Sequence, residues 1–171
     1  MALNARRKEL FKWVIGRKLK NFSTKDEDAL TDKLNDEGNT ALHLAIGNPQ
    51  NTWVLENLLD RINPESLPTL LNDYHQNALH YAAMLDNTIA AKKLVDRNPH
   101  LLFVVYHMNH LLPVERAVMN SQRTTFVYLL QMCKYHIGLS QKDGCHNPFE
   151  GEHGSRLLGD TILAGFFGDL N

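Results

Sequence analysis

Nine histidines and two cysteines are the residues of this chain best suited to do chemistry. Cys133, His136, Cys145, His146 and His153 fall close together, and Cys133-x-x-His136 has the spacing of half a zinc site. Zinc needs about four N or S ligands converging in a tetrahedron. Adjacent Cys145-His146 is poor geometry for the other half, and Cys133 ends an apolar stretch where cysteine usually serves as a small core residue. A zinc-binding Cys/His loop is therefore kept only as an alternative, and no metal or other cofactor is expected. Glu152-His153 with Asp143 offers an acid and a base, but no nucleophile stands beside them. Phosphate-cradling glycine loops, nucleophile elbows and His-Glu-x-x-His helices are all missing from the sequence. No catalytic residue is assigned, and an enzyme is not expected.

Two other histidines belong to a repeated motif. Thr40-Ala41-Leu42-His43-Leu44-Ala45 and Asn77-Ala78-Leu79-His80-Tyr81-Ala82 lie 37 residues apart in register. A polar residue, a small residue, Leu-His, a variable residue and Ala resembles the core signature of an ankyrin repeat. In that motif the first residue caps a helix, Leu packs inward, Ala permits close stacking, and the imidazole bonds the neighbouring turn. Leu112-Pro113-Val114-Glu115-Arg116-Ala117 follows 35 residues after the second copy, with Glu115 in place of the His and Leu112 in place of the cap. The resemblance implies an all-α ankyrin solenoid of helix–turn–helix units, with no sheet beyond short finger turns.

The elements that would position these motifs divide a single domain, residues 1–171. Residues 1–34 form a capping half-unit whose helix carries an apolar stripe of Leu10, Phe11, Val14, Ile15, Leu19 and Phe22. Repeat 1 spans 35–71: a finger at Asn35 to Asn39, an inner helix capped by Thr40, a break at Asn48-Pro49-Gln50, and an outer helix through Trp53, Val54, Leu55, Leu58 and Leu59. Repeat 2 spans 72–106 and repeat 3, degenerate, 107–133. Glycines and Pro148 mark 134–156 as an inserted loop. Residues 157–171 read as a partial fourth repeat anchored by Ile162 and Ala164. Its dense apolar set, including Phe166 and Phe167, leads us to expect a truncated array with partly exposed aromatics unless they fold back on the third unit.

The formal charge of -1 conceals an asymmetry. Residues 1–25 carry eight Lys/Arg against Glu9 alone, while the rest is acidic on balance. The segment has the Arg-rich, acid-poor look of a transit peptide, yet its apolar positions are needed to cap the stack. No apolar leader follows Met1, so reduced thiols and a cytoplasmic setting are expected. No apolar run approaches the length of a membrane span. The basic face reads first as a solvated outer face; as a binding surface it favours an anionic membrane over nucleic acid, with Trp13 as the residue able to insert if exposed.

The arrangement further resembles plant ankyrin-repeat proteins whose full-length members continue into a C-terminal membrane-spanning PGG domain. Three stretches carry the likeness: Ala29-Leu30 leading to Gly38-Asn39-Thr40-Ala41-Leu42-His43, then Asn98-Pro99-His100-Leu101-Leu102, then Asn147-Pro148-Phe149-Glu150-Gly151 with Gly154-Ser155-Arg156-Leu157-Leu158. It implies a non-catalytic protein-interaction scaffold in signalling or stress and defence responses, with membrane association where the full architecture applies. A peripheral membrane adaptor using the basic N-terminal helix is the alternative.

In stacked repeats the fingers and inner helices line a concave groove. By register, the partner-binding candidates are Asp36, Glu37, Asn39, Tyr74, His75, Gln76, Met108 and Asn109 on fingers. Met84, Met119 and Asn120 join them on inner helices, with Gly47 and Leu85 as neighbours. Met and Tyr suit a pliable protein-binding patch, but Met84, Leu85 and Met119 equally suit inter-repeat core. The protein partner is not named by these residues.

Overall fold

A computed structural model describes residues 2–16, 28–50, 52–105, 110–141, 145–166 and 168. Among them the chain is helical and holds no β-strand. Eight α-helices follow in order: α1 (Ala2–Ile15), α2 (Ala41–Ile46), α3 (Thr52–Arg61), α4 (Ala78–Met84), α5 (Thr88–Arg97), α6 (Pro113–Met119), α7 (Arg123–Tyr135) and α8 (Gly151–Leu163). Short 3₁₀ turns at Pro64–Thr69 and Pro99–Phe103 link successive helix pairs. Pro opens each turn, where its missing N–H costs nothing, and Asn63 and Asn98 accept from the amides of Glu65 and His100 at 3.1 and 3.0 Å.

Helices α2/α3, α4/α5 and α6/α7 pack as three pairs; α2, α4 and α6 stack in one row, and α3, α5 and α7 in a second. α1 packs on α2 at one end and α8 on α6 at the other. The core is one continuous cluster from Leu10, Trp13 and Val14, through Leu42, Leu58, Leu79 and Leu94, to Phe103, Phe126, Leu129 and Leu157. Short inner helices of six or seven residues would not hold in water alone. Their stability comes from the Ala and Leu positions that are fully buried between neighbours.

Polar residues tie one pair to the next. The Asn87 amide donates to the Ile46 carbonyl at 2.8 Å while its oxygen caps Ala90 N–H at 3.0 Å. Asn98 likewise donates to the Pro64 carbonyl at 2.8 Å. Between fingers, Asp73 N–H donates to the Glu37 carbonyl at 3.0 Å. Gly38 makes this approach possible: its φ is +67°, and a Cβ there would collide with the Asp73 carboxylate. His75 (φ 59°) and His110 (φ 49°) occupy the left-handed position in the later fingers.

Several expectations are corrected. α1 buries Leu10, Trp13 and Val14, an i, i+3, i+4 set, while Phe11 is half-buried and Ile15 exposed. Leu19 and Phe22 lie outside the described residues. Thr40 has the extended backbone of a cap, yet its hydroxyl bonds the His43 ring at 2.9 Å and no backbone amide. Gly151–Arg156, expected in a loop, are the first turns of α8. That helix is anchored by Leu157 and Thr161; Ile162 is exposed, because positions four apart share a face and 157/161 is the face turned to α6. Phe166 does fold back, its ring centroid 5.7 Å from that of Phe126. Phe167 is outside the described residues.

Candidate interaction groove

The two motif histidines act as cross-links between helix pairs. His43 accepts the Thr40 hydroxyl at Nδ1, and its Nε2–H donates to the Gln76 carbonyl of the next finger at 3.0 Å. His80 Nε2–H donates to the Leu111 carbonyl at 3.0 Å, with Nδ1 2.8 Å from the Asn77 side chain. Burial lowers both imidazoles to about 4, partly opposed by the carbonyl bonds, and for His80 reinforced by the Arg116 charge. They are therefore neutral structural groups at physiological pH.

Above this layer the fingers and inner helices enclose a cavity of about 270 Å³ lined by Glu37, Tyr74, Gln76, Tyr81, Met84 and Arg116. Four of these are sequence candidates. Tyr74 is 51% exposed and Glu37 exposed, Met84 is half-buried, and Gln76 forms the floor at 4%. Tyr81 stands edge-on to the His43 ring at 5.6 Å. Burial first, then the Glu37 charge, raises its phenol above the ordinary range, and a bond to Asn39 opposes them. Glu37 Oε2 accepts from the Asn39 amide at 2.7 Å.

The remaining candidates scatter. Asn39 is buried, so its expected place on a free surface is corrected: its carboxamide joins Asn72 and Gln76 in a network that shapes the finger. Gln76 is corrected in part, since only a floor contact is open to a partner. Asp36 lines a different cavity, of about 370 Å³, with Arg7, Phe11 and Lys33. His75, Leu85 and Met119 are exposed, which removes Leu85 and Met119 from the inter-pair core. Asn120 donates to the Arg116 carbonyl at 2.7 Å. Met108 and Asn109 lie outside the described residues.

Tyr81 and Arg116 were not singled out by sequence, yet a signal existed. Leu44, Tyr81 and Arg116 each follow the fourth motif residue, His43, His80 or Glu115, so they share one register position. Two of these three, Tyr81 and Arg116, line the cavity.

The Cys/His group is divided by the fold. Cys133 is buried in the core, its thiol pushed up by burial and by the Glu115 charge. Cys145, His146 and His153 instead line a polar cavity of about 660 Å³. Burial, then the His153 and His110 charges, lower His146. Among the described residues no three His, Cys, Asp or Glu side chains converge as a metal site. Glu152 pairs with Arg156, while His153 turns away to Glu115 at 2.9 Å, so the Glu152-His153 couple does not form. Asp143 is outside the described residues.

Of the basic N-terminal segment, Arg7 pairs with Asp32 at 3.2 Å. Trp13 is 1% exposed and lies edge-on to Trp53 at 5.7 Å, so it does not serve as an interfacial anchor. Among the described residues no helix is long and apolar enough to cross a membrane. No family model matches the chain, and no curated protein matches it in sequence.

Proposed function

We propose that this chain is an ankyrin-type solenoid acting as a non-catalytic protein-interaction scaffold, with its partner bound across the inner-helix groove. The observation that carries the reading is the Glu37–Tyr74–Gln76–Tyr81–Met84–Arg116 cavity, built from two successive fingers and from α4 and α6, with Glu37/Tyr74 and Tyr81/Arg116 at equivalent register positions. Supporting it, the motif residues are consumed by cross-links, while the neighbouring register positions stay open. An aromatic and methionine lining with charge at its edges suits a pliable peptide surface. A signalling or stress-related role in a plant cytoplasm follows from the sequence resemblance and is part of the proposal.

The test is affinity capture from a plant-cell extract with the wild-type chain and with Glu37→Lys/Tyr74→Ala. Both positions are exposed, so the variant should fold normally and lose at least one specific partner. Retention of every partner by that variant, with loss on mutating exposed Leu158 and Ile162 of α8, overturns the groove assignment.

A further inference from the structure

Arg116 differs from several other described basic side chains that meet carboxylates. Arg7 meets Asp32, Lys33 meets Asp73, Lys93 meets Glu56, and Arg156 meets Glu115 and Glu152. No carboxylate oxygen among the described residues lies within 4.0 Å of the Arg116 guanidinium. Its Nε is buried and donates to nothing. Its Nη2 donates only to the Met84 thioether, a weak acceptor, at 3.2 Å. A half-buried cation facing a cavity with a weak acceptor and an idle donor is left poorly satisfied.

The surroundings say what would complete it. With Nε buried, the edge left to a ligand is the pair of Nη groups, which forms a planar fork that matches both oxygens of a carboxylate. Tyr74, Tyr81 and Met84 wall the same cavity and reduce solvent competition for such a pair. Glu37 stands on another wall with its Oε2 held by Asn39, and it does not pair with Arg116. The cavity thus presents an acid acceptor and a cation acceptor at separate places, which gives a bound chain a direction.

We infer that Arg116 receives the side-chain carboxylate of an Asp or Glu in an extended peptide segment of a partner protein, whose flanking residues lie on Tyr74, Tyr81 and Met84. Glu37 disfavours a second acid at its wall and favours a basic residue there. The inference rests on the groove reading and adds the chemistry of the occupant.

A display library of random heptapeptides, selected on the full chain and on Arg116→Gln, tests it. Wild-type binders should converge on one acidic position. Replacing that acid by its amide in a synthetic peptide should weaken binding about tenfold or more, and the same replacement should change little against Arg116→Gln. Arg116→Glu should select Lys or Arg at that position instead. Far-UV circular dichroism and the urea midpoint establish that each variant is folded, and Arg116→Lys should retain part of the preference. Binders that are weakened by Tyr74→Ala but carry no acidic position overturn the carboxylate inference and leave the groove reading standing. Binders indifferent to both Tyr74→Ala and Arg116→Gln overturn the groove reading itself. A selection that yields no binder overturns the carboxylate inference, since an unsatisfied guanidinium would then attract no acidic segment.

Discussion

The junctions between successive helix pairs are built differently along the molecule. From the first pair to the second, and the second to the third, a buried neutral imidazole donates to a backbone carbonyl, Gln76 or Leu111. At the junction of α6 and α8 the equivalent motif residue is Glu115, completely buried. Its Oε2 accepts from Leu112 N–H at 2.6 Å and from His153 Nδ1 at 2.9 Å, and Oε1 lies 3.6 Å from Arg156 Nη1. The first two junctions combine apolar stacking with several hydrogen bonds, among them one from a buried neutral imidazole in each. The last buries only Leu157 and Thr161 from α8 and depends more heavily on a charged contact. Burying an ionised carboxylate is costly unless it is well paired, so the array should be less secure at α8 than between α2, α4 and α6.

Acid exposes the contrast most strongly. His43 and His80 titrate near 4 folded, against 6.5 for a solvated imidazole, so the unfolded chain binds more protons between those values. Their contribution is complete above pH 6.5 and is lost as pH falls towards 4, on the order of 3 kcal/mol for each. Glu115 acts in the opposite sense. Burial raises its carboxyl despite the Leu112 amide, His153 and Arg156, so its junction is relatively favoured as pH falls towards 4.5. Urea titrations between pH 7 and 4 should show falling stability, with a smaller relative loss of amide protection in 151–163 than in 78–84. A stability that stays level across this range would refute the neutral-cross-link picture.

Removing one cross-link gives the next largest effect. His80→Ala strips a fully buried ring and leaves the Leu111 carbonyl unmet, for a loss of about 2–3 kcal/mol in a global urea transition. Glu115→Gln keeps the shape while removing the charge. Because burial disfavours the ionised form, we expect a gain of about 1 kcal/mol near pH 7, centred on α8 and read as slower hydrogen exchange in 151–163 with little change in 78–84. Combining it with His153→Ala should give a non-additive change, because the two side chains share one bond. Equal global effects of the two single changes would erase the distinction between junctions. Smallest of all, Tyr74→Ala should move stability by no more than about 0.5 kcal/mol, since the ring is half in solvent. A larger thermal shift would make Tyr74 part of the scaffold and not of the binding surface.

The register of Thr40–Ala45 and Asn77–Ala82 already dictates helices, buried Leu and Ala, and short turns, because these depend on local propensity and on spacing along one helix face. Asn39 shows where that reasoning stops. Its place on a finger is legible, but its burial follows from Asn72 and Gln76 arriving from a finger 33 and 37 residues later. Trp13 is similar: an amphipathic helix identifies a candidate for the core or for a membrane, and only the approach of Trp53 decides between them. Glu152-His153-Gly154 read as loop because two glycines flank a polar run, whereas a single contact with Glu115, 38 positions earlier, turns His153 inward. Sequence by itself therefore determined the helical units and their periodicity, which arise from residues a few places apart. Tertiary structure alone decided which polar side chains are cross-links and which line the groove, because each outcome depends on desolvation by neighbours that are remote in the chain.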